Sequence, residues 1–273
     1  MQSTHMSRAV NRFAPSGEPI VAIAARSDIG TAASSPLLSP ASLTLTSLLG
    51  QVAANDAPDA EDQQRIFTIR AADEDGHRNS AGILIDRMYA GRGYRTNGLA
   101  ADRPGRITLT ACEREHVMGT ITVGFDSTSG LFVDELFRAE VDTLRRNGRR
   151  VCEFTKLAVD RMVRSRRVLA SLFHVAYICA RRLADFTDLL IEVNPRHVRY
   201  YERMLGFTAR SEERCNPRVD APAVLMALDL AHAESQIAEL GGRGHSAGEV
   251  KSLYPYFFSP AEETGIVARL RRR

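Results

Sequence analysis

Two short apolar runs set the frame of this chain: RRVCEFTKLAVD, ending at Asp160, and TDLLIEVNP, ending at Pro195. Each is apolar on both faces, as strands are when helices cover both sides of a sheet. Between them VLASLFHVAYICARRLADF carries a long, mostly apolar helical pattern. A helix crossing between two buried strands predicts that they run parallel, side by side, in the middle of a mixed sheet. The first run also holds a contradiction. Glu153, Thr155 and Lys156 set three polar groups in a segment patterned for burial. A charged strand residue usually pairs with a neighbour or sits at a solvated strand end. The alternative is chemistry.

The remaining elements follow from period and punctuation. RIFTIRAA alternates like a strand, and AGILIDRMYAGRGY sets Ile83, Arg87, Met88 and Tyr94 on helical spacing before glycines stop it. RITLTACE and HVMGTITVGFD are β-branched runs meeting at the polar REH, the pattern of a hairpin. GLFVDELFRAEVDTLRRNG puts Val133, Leu136, Phe137, Val141 and Leu144 on one helical face and ends at Gly148. RHVRYYERMLGF reads as a short helix closed by Gly206, and PAVLMALDL as a last strand. The order β-α-β-β-α-β-α-β-α-β predicts an α/β (α+β) domain, a mixed central sheet with helices on both faces. The tail, SLYPYFFSPAEETGIVARLRRR, offers a Pro-broken aromatic cluster and a short helix, both expected to pack on the core.

Composition bounds the rest. Residues 1–63 are rich in Ala, Ser, Thr and Pro and close on the acidic NDAPDAEDQQ, a texture expected to stay disordered, leaving 64–273 as the folded domain. Four widely spaced cysteines match no disulfide or metal spacing, so a reducing cytoplasm is the expected setting. No apolar run reaches transmembrane length, and IVAIAA near the start is too short for a secretory core. His174 and His197 lack a second ligand at helical spacing, so no metal site is expected. The net charge is only +3, and the basic residues lack interleaved aromatics, which argues against a nucleic-acid reader.

With the element order and NPRHVRYYERMLGF after a buried strand, the chain resembles the GNAT acyltransferases, in which an Asn closes one strand and a helix supplies a Tyr before a Leu-Gly-Phe turn. CEFTKLAVD is similar to the Trp-Glu-x-Ser-Arg-Phe-x-x-Asp strand of the acyl-homoserine-lactone synthases, with Glu153, Thr155, Lys156 and Asp160 at the Glu, Ser, Arg and Asp positions. RMYAGRGY, GTITVGFDSTSGLFVDELFRAEVDTLR, the NPRH and YYERMLGF block and the YPYFFSP tail together resemble the FeeM-type N-acyl amino acid synthases. The resemblance runs from about Arg65 to the C-terminus. It implies that a thioester arm lies between the two parallel strands, along Lys156, Leu157, Ala158 and Val159 on one side and Asn194 and Arg196 on the other.

Two departures refine that expectation. Where acetyl-CoA enzymes of this fold carry a glycine-rich turn whose backbone N–H groups cradle a pyrophosphate, this chain has RMVRSRRVLAS, with no glycine. Arg161, Arg164, Arg166 and Arg167 take its place, offering charge to a single phosphate or an acidic protein, or forming only a solvated face. Acyl carrier protein presents both features. Against the lactone synthases, the chain has no Trp and no Glu-Asp-x-Tyr-Asp run, which disfavours S-adenosylmethionine as acceptor and favours an amino acid.

The chemistry implied is attack of an amine on a thioester, which needs a base and a stabilised oxyanion. Glu153, half desolvated by apolar neighbours, is the candidate base, with an ion pair to Lys156 or Arg150 as the alternative. Thr155 would orient the arm or donate to the oxyanion, unless it is there for β-propensity alone. Tyr201 stands where a proton donor to the leaving thiolate would be, or is a core aromatic. Arg87, Tyr89 and Tyr94 are expected to line the acyl or acceptor pocket, and Asp134 and Glu140 to receive the acceptor's ammonium or simply face solvent. The expected protein is thus an N-acyltransferase moving a fatty acyl group from acyl carrier protein to an amino acid. No cofactor is tightly bound; acyl-phosphopantetheine is the donor substrate. An acyl-CoA enzyme acting on another amine and a non-catalytic carrier-protein binding module are the rivals, and the latter has no need of Glu153.

Overall fold

The computed structural model describes residues 67–72, 75–90, 105–114, 116–160, 166–217, 219–244 and 250–271. Strand β1 (Thr68–Ala71) precedes helix α1 (Asp75–Ala90), and β2 (Arg106–Glu113) forms a hairpin with β3 (His116–Phe125). Helix α2 (Asp134–Arg146), strand β4 (Val151–Val159), helix α3 (Arg166–Tyr177) with a π-helical continuation (Ile178–Leu183) and strand β5 (Asp188–Val193) make the crossover unit. A single turn at Pro195–His197 leads into α4 (Val198–Leu205), followed by β6 (Thr208–Ala209), β7 (Arg214–Asn216), β8 (Ala221–Asp229), α5 (Leu230–Leu240) and α6 (Pro260–Arg271). The sheet runs β1-β2-β3-β4-β5-β8-β6, with β7 beside β8. Among the described residues only β4 and β5 pair in parallel, as the crossover predicts.

Alternation along the central strands divides the core. Val151 and Leu190 pack with Val133 and with Phe137 and Val141 of α2, while Cys152, Leu189 and Ile191 join α3 and the C-terminal aromatics Tyr254, Phe257 and Phe258 on the opposite face. The tail aromatics therefore cover this face of the core. Helix α1 turns differently from its predicted face: Ile83 is 67% exposed, and Leu84, Ile85, Met88 and Tyr89 form the buried stripe. Three elements escaped the sequence reading. β6 and β7 are too short to show a period. α5 buries Leu230, Ala233, Ile237 and Leu240 and is capped by the Asp229 carboxylate, which accepts from Ala231 N–H at 2.8 Å. Tyr94, Arg161, Arg164 and the 1–63 segment lie outside the described residues.

Two irregularities in β4 open the sheet at its centre. The ladder with β5 covers only Val151–Glu153 against Asp188–Leu190, after which β5 continues on β8 alone and the two parallel strands part. On the other edge, Thr122 faces Thr155 and Thr120 faces Ala158, so Lys156 and Leu157 are both opposite Ile121. This is a β-bulge. Lys156 has φ +51°, a left-handed conformation that costs a side-chain-bearing residue strain, and its carbonyl accepts from Thr120 Oγ1 at 2.8 Å.

Candidate active site

The opening begins where β4 and β5 separate, at the carboxyl ends of two parallel strands, the usual position of ligand crevices in such sheets. Thr155 lies on β4 just past the last ladder pair, and Tyr201 on the helix that follows β5. Both are fully buried, and neither Thr155 Oγ1 nor the Tyr201 hydroxyl has a hydrogen-bond partner among the described residues. An orphaned buried hydroxyl costs about 1–3 kcal/mol and calls for an explanation. Burial, reinforced by Tyr200 and Tyr89, holds the Tyr201 phenol well above its ordinary pKa, so it stays protonated and able to donate. Gly206, at φ +79°, closes this helix in the left-handed region and fixes where Tyr201 sits.

Glu153 is not the open, half-desolvated carboxylate expected of a base. It is wholly buried; one oxygen accepts from Phe132 N–H at 3.0 Å and lies 2.7 Å from Arg106 Nη1, and the other accepts from Val133 N–H at 3.1 Å. Neither Lys156 nor Arg150 is its partner; Arg150 reaches Asp185 instead. The carboxylate ties the turn before α2 to the central strand, and Arg106 in turn lies 3.6 Å over the Phe132 ring. Gly124 makes room for this pair, since a Cβ there would come within 2.9 Å of Glu153.

Two other acidic expectations are also corrected. Asp134 accepts from Leu131 N–H at 2.7 Å and pairs with Arg145, while Glu140 pairs with Arg214. Both carboxylates brace α2, so they do not stand ready for an ammonium. Arg87 pairs with Asp160 at 2.5 Å across the α1–β4 contact, and Tyr89, on the buried stripe of α1, is fully buried. Leu157 and Ala158 are buried in opposite cores and Val159 is half-buried at the strand end. Asn194 caps the turn after β5 by accepting from Arg196 N–H at 3.3 Å; Arg196 itself is exposed. Arg166 opens α3 and approaches Tyr256 of the tail, with Arg167 beside it. Among the described residues no cluster of His, Cys, Asp and Glu is arranged to hold a metal, and no helix is long and apolar enough to cross a membrane.

Two functional candidates were missed. Arg106 begins a strand, where a charged residue gives no signal. Glu192 did give one: like Glu153, it is a charge inside a buried strand. It is fully buried on β5, two residues beyond the last β4–β5 pair, on the face that Leu190 presents to α2. Its Oε1 accepts from Asn216 Nδ2 at 2.9 Å.

Comparison with known proteins gives the family and the fold. A family model described as N-acyl amino acid synthase FeeM matches residues 80–229. The solved structure of FeeM, an N-acyl amino acid synthase from uncultured soil microbes, is 26% identical with a TM-score of 0.55, covering 62% of this chain and 93% of that one. An acyl-CoA N-acyltransferase from Pseudomonas aeruginosa is 17% identical (TM-score 0.42; 59% of this chain, 97% of that one). The acyl-homoserine-lactone synthase LasI is 12% identical (TM-score 0.42; 60% and 90%). No curated protein matches. The mixed eight-stranded sheet is the GNAT-like acyltransferase fold that the sequence resemblance implied.

Proposed function

The chain belongs to the family of the N-acyl amino acid synthase FeeM and is an N-acyltransferase; from that premise we propose that it moves a long-chain fatty acyl group from the thioester of acyl carrier protein to the amine of an amino acid. The observation that carries this reading is the parting of β4 and β5 beside two buried hydroxyls that lack partners, Thr155 Oγ1 and Tyr201 Oη. A thioester arm entering the opening supplies those partners. It also meets the edge of β4 that the departing β5 leaves.

The acceptor amine attacks the thioester carbon, a C–N bond forms, and the carbonyl oxygen takes up the electron pair. Thr155 Oγ1 donates to that oxyanion; removing one such donor typically costs 10²–10³ in turnover. As the C–S bond breaks, the departing thiolate takes the Tyr201 proton. The amine's surplus proton goes to Glu192, because both oxygens of Glu153 are already engaged by backbone N–H groups and Arg106. Proton transfer at each end contributes about 10²–10⁴. Arg166 and Arg167 at the start of α3, with their neighbours Arg161 and Arg164, supply positive charge for an acidic carrier protein. A cytoplasmic setting follows from that partner.

Mass spectrometry of lipid extracts from an overexpressing bacterial host tests the reading. Amide-linked N-acyl amino acids should accumulate, and Tyr201→Phe should lower the yield by about 10²-fold. An extract with no amide-linked acyl species contradicts the reading, and an unchanged yield with Tyr201→Phe assigns that tyrosine to the core.

A further inference from the structure

We propose that Lys156 is the group that recognises the acceptor's carboxylate, so that the enzyme selects α-amino acids over simple amines. The inference rests on the acyl-transfer reading above and deepens it. It starts from an electrostatic imbalance. Lys156 is 6% exposed, and among the described residues its ammonium forms no ion pair and no hydrogen bond, although that atom is not wholly buried and keeps some access to solvent. A mostly buried ammonium is stabilised where an opposite charge meets it, from the protein or from a ligand. The cation that acts on it, Arg106, is paired with Glu153, which leaves Lys156 as the unbalanced charge of the two.

Its position is built, not incidental. Strict alternation along β4 would turn Lys156 away from Glu153 and Thr155. The bulge and the φ of +51° break that alternation, and Leu157, the next residue, packs into the α3-side core. Arg106 of β2 and Asp86 of α1 are the charges that bear on the Lys156 ammonium, and α1 packs on β4 on the side that carries Ala158, just past the bulge. Burial first, then Arg106, against a smaller opposing pull from Asp86, lowers its pKa to about 8, which is the response of an ammonium short of anions. Strain at this residue is retained where a strand leaves its parallel partner, next to an orphaned Thr155 hydroxyl. Glu192 on β5 for the amine and Lys156 on β4 for the carboxylate give the two poles of an amino acid on either side of the opening.

The anion has two possible sources, the acceptor's carboxylate and the donor's phosphate, and the experiment separates them. Each proteinogenic amino acid is assayed beside its methyl ester, with dodecanoyl-pantetheine, which carries no phosphate, and with dodecanoyl-CoA, which does. The wild type should use the best amino acid with a KM about 10- to 100-fold below that of its ester, the range of a charge-assisted hydrogen bond. Lys156→Met, which keeps the length and the apolar stem, should raise the amino acid's KM by that factor with either donor and leave the ester's unchanged. Lys156→Arg should keep the preference. A rise in KM for dodecanoyl-CoA alone marks a phosphate site and overturns the proposal. So does a wild type that treats acid and ester alike, a result that needs no variant to fold. A wild type that acylates esters but shows no carboxylate preference sinks this assignment alone; one that acylates nothing with these donors or with dodecanoyl-acyl carrier protein sinks the acyl-transfer reading with it.

Discussion

Glu153 carries the sharpest lesson at the scale of single residues. Its presence in a buried strand is legible as an anomaly, but an anomaly has two resolutions, and the choice depends on Arg106 and on the backbone of Phe132 and Val133, which come from elsewhere in the chain. No local pattern announces those partners. Replacing Glu153 by Gln keeps the size but leaves Arg106 without its counter-charge and turns one amide NH₂ toward N–H donors. Breaking a buried pair in this way costs about 3–5 kcal/mol. Urea denaturation should therefore show a loss of that order, and the fraction that stays folded should retain turnover within roughly tenfold. A stable variant that has lost activity by 10²-fold or more would return Glu153 to the role of base. Glu192 and Tyr201 were equally legible as polar groups among apolar ones; what set them apart is where β5 ends and α4 begins.

Among the elements, the C-terminal tail is tied to α3 by His174. The ring is buried between Phe257 and Phe258, at 5.0 and 5.1 Å between centroids. Nδ1 accepts from Phe258 N–H at 2.9 Å, so the proton sits on Nε2, facing Glu263 at 3.2 Å. Glu263 is shared with Arg182 at 3.0 Å, and Tyr177 lies against the same ring. Protonating Nδ1 would set two donors against each other. Burial outweighs the attraction of Glu263 and holds the His174 pKa below its ordinary value of 6.5. Between the folded and the unfolded values the unfolded chain binds a proton that the native state does not, so stability falls as pH drops below about 6.5. Thermal melting from pH 7.5 to 5 should show that decline, and His174→Asn should flatten it while lowering the plateau. An identical slope in the variant would assign the acid sensitivity to other groups.

For the molecule as a whole, the order of elements and the covering helices were readable because each depends on periodicity within one segment, and the parallel pair because a helix crosses between two buried strands. The bulge at Lys156 and the parting of β4 from β5 were not, because they are properties of pairing between strands. VCEFTKLAV carries no glycine to mark its bulge, and nothing in TDLLIEV tells that its last three residues pair with β8 alone. The face of α1 was misread for the same reason: Ile83 suits a buried stripe by composition, and only the packing against β3 and β4 selects Leu84, Ile85 and Met88. These between-element features are the ones on which the proposed acyl-transfer site rests, within a common α/β frame. The most direct test of that site is to incubate the purified protein with dodecanoyl-acyl carrier protein and a mixture of amino acids, and to follow carrier and small molecules together by mass spectrometry. The carrier should return to its free thiol in step with the appearance of a dodecanoyl amide of one or a few amino acids. Release of free dodecanoic acid without an amide, or a carrier that keeps its acyl group, would contradict acyl transfer at this site.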